Sequence, residues 1–139
     1  MDESGELVMQ SLEQVAEAVD DPAPAVFGLL FERNPEFEAM FVLDTSGAIR
    51  RNMLQLAVTA LMDYVEGRDG SVSMVRAERM NHVHIGVPDS RFDDFYAVMR
   101  DAFHGLIAAD WSDATEAAWS EAIEGLTRRT SAVPHSAPA

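Results

Sequence analysis

Between residues 4 and 19, Val8, Leu12, Val15 and Val19 recur at spacings of four, three and four with acidic residues between them, the stripe of an amphipathic helix. "DDPAP" stops that pattern, and "AVFGLLFERN" resumes as a mostly apolar helix, with Pro35 suited to the first turn of a further short one that closes at Phe41. "LDTSG" reads as a loop. The stretch 48–66 is a long helix with apolar residues on more than one side (Met53, Leu54, Leu56, Ala57, Val58, Ala60, Leu61, Tyr64), so it is expected to be covered on two faces. After the break "EGRDGS", residues 71–84 form a weaker helical pattern, with Gly86 placed as a helix-ending glycine and Pro88 just beyond. From Asp89 a strong stripe runs through Phe92, Phe95, Met99, Phe103 and Leu106. Ser112 is the expected N-cap of a last helix whose inner face carries Trp119, Ala122, Ile123 and Leu126. No strand pattern, repeat or low-complexity block interrupts this, which predicts an all-α chain of six or seven helices: one domain over residues 1–130 and a disordered tail over 131–139.

Composition narrows the picture. With 139 residues, 47% of them hydrophobic, and a mean hydropathy of −0.07, the chain suits one domain with a self-sufficient core. Its longest apolar run, near "AVFGLLF", falls far short of the ~20 residues a membrane span needs. The acidic start "MDESGELVMQ" lacks the features of a targeting segment, so a cytoplasmic protein is expected. The absence of cysteine removes disulfides, thiolate metal sites and a cysteine nucleophile. Twenty-four acidic against ten basic residues give a formal charge of −14, which argues against nucleic acid and anionic membrane surfaces as partners.

The chemistry that remains centres on "ERMNHVHIGVP". His82 and His84 are two apart, so on a helix their side chains diverge by about 200° and cannot share a metal. The i, i+4 histidine pair of zinc proteases is absent, and a carboxylate-bundle motif starting at Glu78 would meet Asn81 where it needs histidine. One histidine on an inner helix face still suits an iron carried in a flat apolar macrocycle, which asks for a single protein donor and a hydrophobic sleeve. Periodicity alone leaves His82 as either that donor or a packed core residue. Met53 and Met80 could in principle supply axial thioethers, although methionine on an apolar helix face is usually gap-filling core. His84 reads as solvated, His104 as a helix-interface residue, and Trp111 and Trp119 as core and junction anchors.

Several separated motifs, from about Leu7 to Leu126, resemble the globin family in its bacterial single-domain and flavohemoglobin-like branch. "LLFERNPEFEAMF" resembles the segment joining the second and third helices, with Phe41 as the phenylalanine that stacks on heme. "HVHIGV" resembles His-x-x-x-Gly-Val, and "AAWSEAIEGL" the Ala-Trp segment of the final helix. The resemblance implies a three-over-three globin fold, heme b bound through His82, and heme contacts from Phe27, Phe41, Arg50, Leu54, Val87 and Phe92. Phe27 stands where flavohemoglobins carry a distal tyrosine, and Phe92 where they carry a proximal one. The distal register is open between Arg50 with Leu54 and Arg51 with Gln55. No glutamate matches the family's partner in the last helix, where the chain is already in its "SAVPHS" tail, which contains His135. These departures favour reversible binding of O2, CO or NO, as carrier, store or sensor, over enzymatic oxygen chemistry. The alternatives are a heme-free globin-fold signalling or scaffold protein, and turnover as an NO dioxygenase served by a separate reductase or as a peroxidase. Phe95, Phe103 and Trp119 could belong either to the core or to a homodimer interface.

Overall fold

The computed structural model describes residues 1–131; the tail expected to be disordered lies, apart from Ser131, outside the described residues, as does His135. Within them the chain is all-helical, with no strand: α1 (Glu3–Ala18), α2 (Ala23–Arg33), a 3-10 helix (Pro35–Phe41), α3 (Ala48–Val65), α4 (Val72–His84), α5 (Asp89–Leu106), a short 3-10 turn (Ala108–Asp110) and α6 (Asp113–Thr130). None of these helices is long and apolar enough to cross a membrane.

Local chemistry sets most of the boundaries. Asp2 accepts from the Gly5 N–H at 2.8 Å and Ser112 from the Thr115 N–H at 3.0 Å, so α1 and α6 begin on side-chain caps. Pro24 sits in the first turn of α2, where its missing N–H costs nothing. At the end of α4, Gly86 adopts φ +96°, which lets the Gly86 N–H reach the Val83 carbonyl at 3.1 Å and the Val87 N–H reach the His82 carbonyl at 2.8 Å. This paired closure is the Schellman motif. It fixes Val87 directly below the last turn of α4, beside His82.

The core lies where α1 packs on α6 and α2 on α5, with α3 against both α2 and α6, and with α4 held by α3, α5 and α6. Trp119 is fully buried and donates from Nε1 to Ser11 Oγ at 2.7 Å, while Ser11 donates to the Val8 carbonyl at 2.6 Å, so the α1–α6 contact carries no orphaned polar atom. Phe103 and Trp119 meet edge to face at 5.8 Å and are both core residues of this one chain. The expected α5 stripe faces inward: Met99 and Phe103 are buried, together with Tyr96, Val98 and Ala102, while Phe92, Phe95 and Leu106 are half-buried against the core. Phe92 and Phe95 pack against the core and also line a cavity, which leaves them half-open.

Gly125 on α6 is where the Tyr64 ring from α3 rests, and a Cβ there would lie 1.8 Å from the Tyr64 hydroxyl oxygen and 2.5 Å from its ring carbon. Gly125→Ala is therefore expected to destabilise the fold by about 1–2 kcal/mol in urea unfolding, because overpacking outweighs the ~1 kcal/mol that alanine gains in helix propensity. The double variant with Tyr64→Leu should recover most of that loss; additive losses would show that the contact is not the cause.

Candidate cofactor site

A cavity of about 410 Å³ opens between α3, α4, α5 and the 3-10 helix, within the ~300–1,000 Å³ typical of small-molecule sites. One wall is α3, through Ile49, Met53, Leu56 and Ala57, which fall on one helical face. The facing wall is α4, where Met74, Glu78 and His82, at i, i+4 and i+8, share a stripe. Leu30, Phe41, Phe95 and Tyr96 line its interior. Met40, Leu43, Ile49 and Ile85, all exposed, form an apolar rim with Arg91 beside it.

His82 is oriented by its own helix. Its Nδ1 lies 2.7 Å from the Glu78 carbonyl oxygen, with a Glu78 carboxylate oxygen at 4.0 Å. A carbonyl can only accept, so Nδ1 carries the proton and the Nε2 lone pair is left for another partner. The imidazole also meets the Phe92 ring edge to face, with centroids 5.1 Å apart. Behind Phe92 stands Arg79, whose guanidinium carbon lies 4.8 Å from the ring centroid. The Arg79 side chain is wholly buried; it donates to Asp89 at 3.1 Å, to Asp93, and to Thr130 at 3.3 Å. The His82 end of α4 is thereby tied to α5 and α6.

Of the residues singled out from sequence, His82, Phe41, Val87 and Phe92 come together on this cavity. Phe27, Arg50 and Leu54 do not line it. Phe27 sits behind the wall in an aromatic cluster, 5.4 Å from Phe41 and 5.6 Å from Phe95. Leu54 is buried in the helical core. The cavity face of α3 is set one position before the first expected register, on Ile49 and Met53, while Arg51 and Gln55 are exposed.

The cause is a clasp at the start of α3. The buried Asp44 carboxylate accepts from the N–H groups of Ile49 and Arg50 at 3.1 and 3.0 Å and from Arg50 Nε at 3.0 Å, and the Arg50 guanidinium also donates to the Asp44 carbonyl at 2.7 Å. Gly47, at φ +79°, makes the turn between them. Burial alone would push the Asp44 carboxyl up, but the two backbone donors and the Arg50 guanidinium outweigh it and hold the group below the ordinary carboxylate range. A carboxyl whose pKa is lowered by folding contributes stability that is complete above its unfolded value of about 4 and lost as pH falls through the lower folded value. Hydrogen exchange at the Ile49 and Arg50 amides should accordingly stay slow, relative to the intrinsic rate, down to about pH 4 and lose protection below it. Asp44→Asn at neutral pH is expected to lose protection there several-fold; unchanged protection would remove the clasp as the cause of the register.

Glu78 and Tyr96 are the cavity residues least legible as such in sequence, although Tyr96 is i+4 from Phe92 and Glu78 is i−4 from His82; of the two methionines weighed as thioether donors, Met53 lines the cavity and Met80 is exposed outside it. Burial raises the Tyr96 hydroxyl well above its usual range, with Arg79 opposing and Asp93 reinforcing, so it is a neutral phenol at any physiological pH. Among the described residues no three His, Asp or Glu side chains converge on a metal-sized site. Chemically, the arrangement offers one coordinating nitrogen at the wall of an apolar slot. In comparisons with known proteins, no family model, curated protein or solved structure matches this chain.

Proposed function

We propose that this chain is a heme-binding globin of the bacterial single-domain type, which carries heme b on His82 and binds a diatomic gas reversibly. The observation that carries the reading is the 2.7 Å contact of His82 Nδ1 with the Glu78 carbonyl oxygen, which turns the ring so that Nε2 is left for a partner at the wall of an apolar cavity. A metal-bound histidine is usually oriented by this kind of second contact. The order of the helices, with the 3-10 segment Pro35–Phe41 between α2 and α3, and the packing of α1 on α6 and α2 on α5 support the three-over-three globin arrangement.

The residues present fit the group. Phe41, Met53, Phe95 and Val87 give an apolar sleeve that excludes water, and the open rim with Arg91 leaves room for propionates to remain in solvent. When bound, the heme iron supplies a coordination position for O2, CO or NO. What the chain controls is the environment of that position. The α3 wall presents no N–H or O–H donor, Phe27 is apolar, Arg50 is committed to Asp44, and the Tyr96 hydroxyl belongs to α5, one turn from Phe92, rather than to that wall. Bound O2 develops negative charge that a donor would stabilise, whereas CO needs no such help. The gas site should therefore favour CO and NO over O2, as suits a sensor more than an oxygen carrier. Phe92, in place of a hydroxyl, leaves the Glu78 groups as the polar partners of the proximal ring.

The test is to titrate the purified protein with hemin and record absorption spectra of the oxidised, reduced and CO-bound forms. One equivalent taken up with a sharp Soret band, shifted by CO, is expected. No Soret band would end this reading in favour of a heme-free helical scaffold. Sustained NO consumption by the oxy form under a reducing system would instead make the protein a dioxygenase working with a separate reductase.

A further inference from the structure

We propose that the Met53 thioether is the sixth ligand of the reduced iron, so that a gas must displace it to bind; this rests on the heme reading above. The His82 ring comes from α4, and Met74 and Glu78 lie on its own stripe, on the proximal side. A ligand to the opposite face must come from across the cavity, chiefly from α3. Of the four α3 side chains lining it (Ile49, Met53, Leu56, Ala57), only Met53 carries a donor atom. The polar side chains of α3 itself are committed or turned away: Arg50 to Asp44, and Arg51 to the Ser46 carbonyl at 2.9 Å, while Gln55 is exposed. Met53 itself is half-buried on an unbranched, three-torsion side chain that can reach for a metal without moving the helix.

Thioether sulfur is a soft donor, and histidine–methionine ligation is an established heme arrangement that raises the reduction potential. Here the bond would favour ferrous iron and yield to CO or NO, which bind that state strongly. The protein would then respond to a gas by releasing Met53 and the first turns of α3, whose start is held through Asp44 and through the Arg51 contact with the Ser46 carbonyl. Gas affinity would be reduced by the fraction of molecules in which Met53 is bound.

Resonance Raman and absorption spectra of the heme-loaded ferrous protein test this directly, with proton NMR of the same sample to find the Met53 methyl signal displaced far upfield by the porphyrin ring current. The expected result is six-coordinate low-spin iron in the parent and five-coordinate high-spin iron in Met53→Leu, a nearly volume-conserving change. Met80→Leu, which alters the exposed methionine outside the cavity, should match the parent. CO association should saturate with CO concentration in the parent and become linear, and roughly tenfold faster, in Met53→Leu. Heme uptake with five-coordinate ferrous iron in the parent, or low-spin iron surviving in Met53→Leu, overturns this assignment while leaving His82 in place. Failure to take up heme overturns both.

Discussion

Replacing His82 with alanine is expected to lower heme affinity by at least about 100-fold, since loss of a group that merely orients a metal ligand already costs 10–100-fold. The apolar sleeve would still attract the macrocycle, so weak binding with an altered Soret band should persist, and added imidazole should restore a parent-like spectrum by filling the vacated position. The apoprotein should be little affected, because the His82 side chain keeps 22% of its exposure and its contacts are local ones to Glu78 and Phe92. That separation matters: a fall in heme affinity with an unchanged unfolding curve assigns ligation, whereas parallel losses would assign a core role. His84→Ala is the matched control, since His84 is exposed on the same helix and does not line the cavity. Equal heme affinity in His82→Ala and the parent would move the ligand elsewhere.

The parts of this site legible in sequence are those with local causes. The helix terminator at Gly86 needed only one glycine with positive φ, and it delivers both His82 and Val87 to the cavity. The register of α3 was hidden because its apolar residues occupy more than one side, so hydrophobic pattern selects no single inner face. What selects it is the Asp44 clasp, a contact spanning five and six residues across a loop. Helix α4 looked weak for a related reason: its inner face carries Arg79, Glu78 and His82, which lower its apparent amphipathicity. A charge there is tolerable only because Asp89, Asp93 and Thr130 arrive from α5 and α6. That Phe92 and Phe95 line a cavity was likewise unreadable, since a cavity wall and a helix–helix contact both call for apolar side chains there.

Arg79→Ala should be the most destabilising single change outside the aromatic core, at about 3 kcal/mol in urea unfolding. The arginine is fully buried, and its planar fork serves two carboxylates one helical turn apart on α5, while its Nε reaches Thr130, whose hydroxyl in turn donates to the Leu126 carbonyl at 2.8 Å. Truncation removes that cation, opens a void against Phe92, and leaves Thr130 without its α4 partner. Asp89 and Asp93 keep 29% and 31% of their exposure, so water can recover part of their solvation and hold the loss near the lower end of the ~3–5 kcal/mol expected for breaking a buried pair. Arg79→Met, which refills the space and keeps contact with the ring, should lose less than alanine. Arg79→Lys should not rescue the network, because one ammonium cannot span the three acceptors with the arginine geometry. The same variants bear on the site, since Phe92 is pinned between Arg79 and His82: heme should dissociate faster from Arg79→Ala than from Arg79→Met, under conditions where both are folded. If Arg79→Ala costs less than about 1 kcal/mol, an ordinary surface value, then α4 is held by packing alone and His82 owes its position to the backbone of α4 rather than to this buried charge.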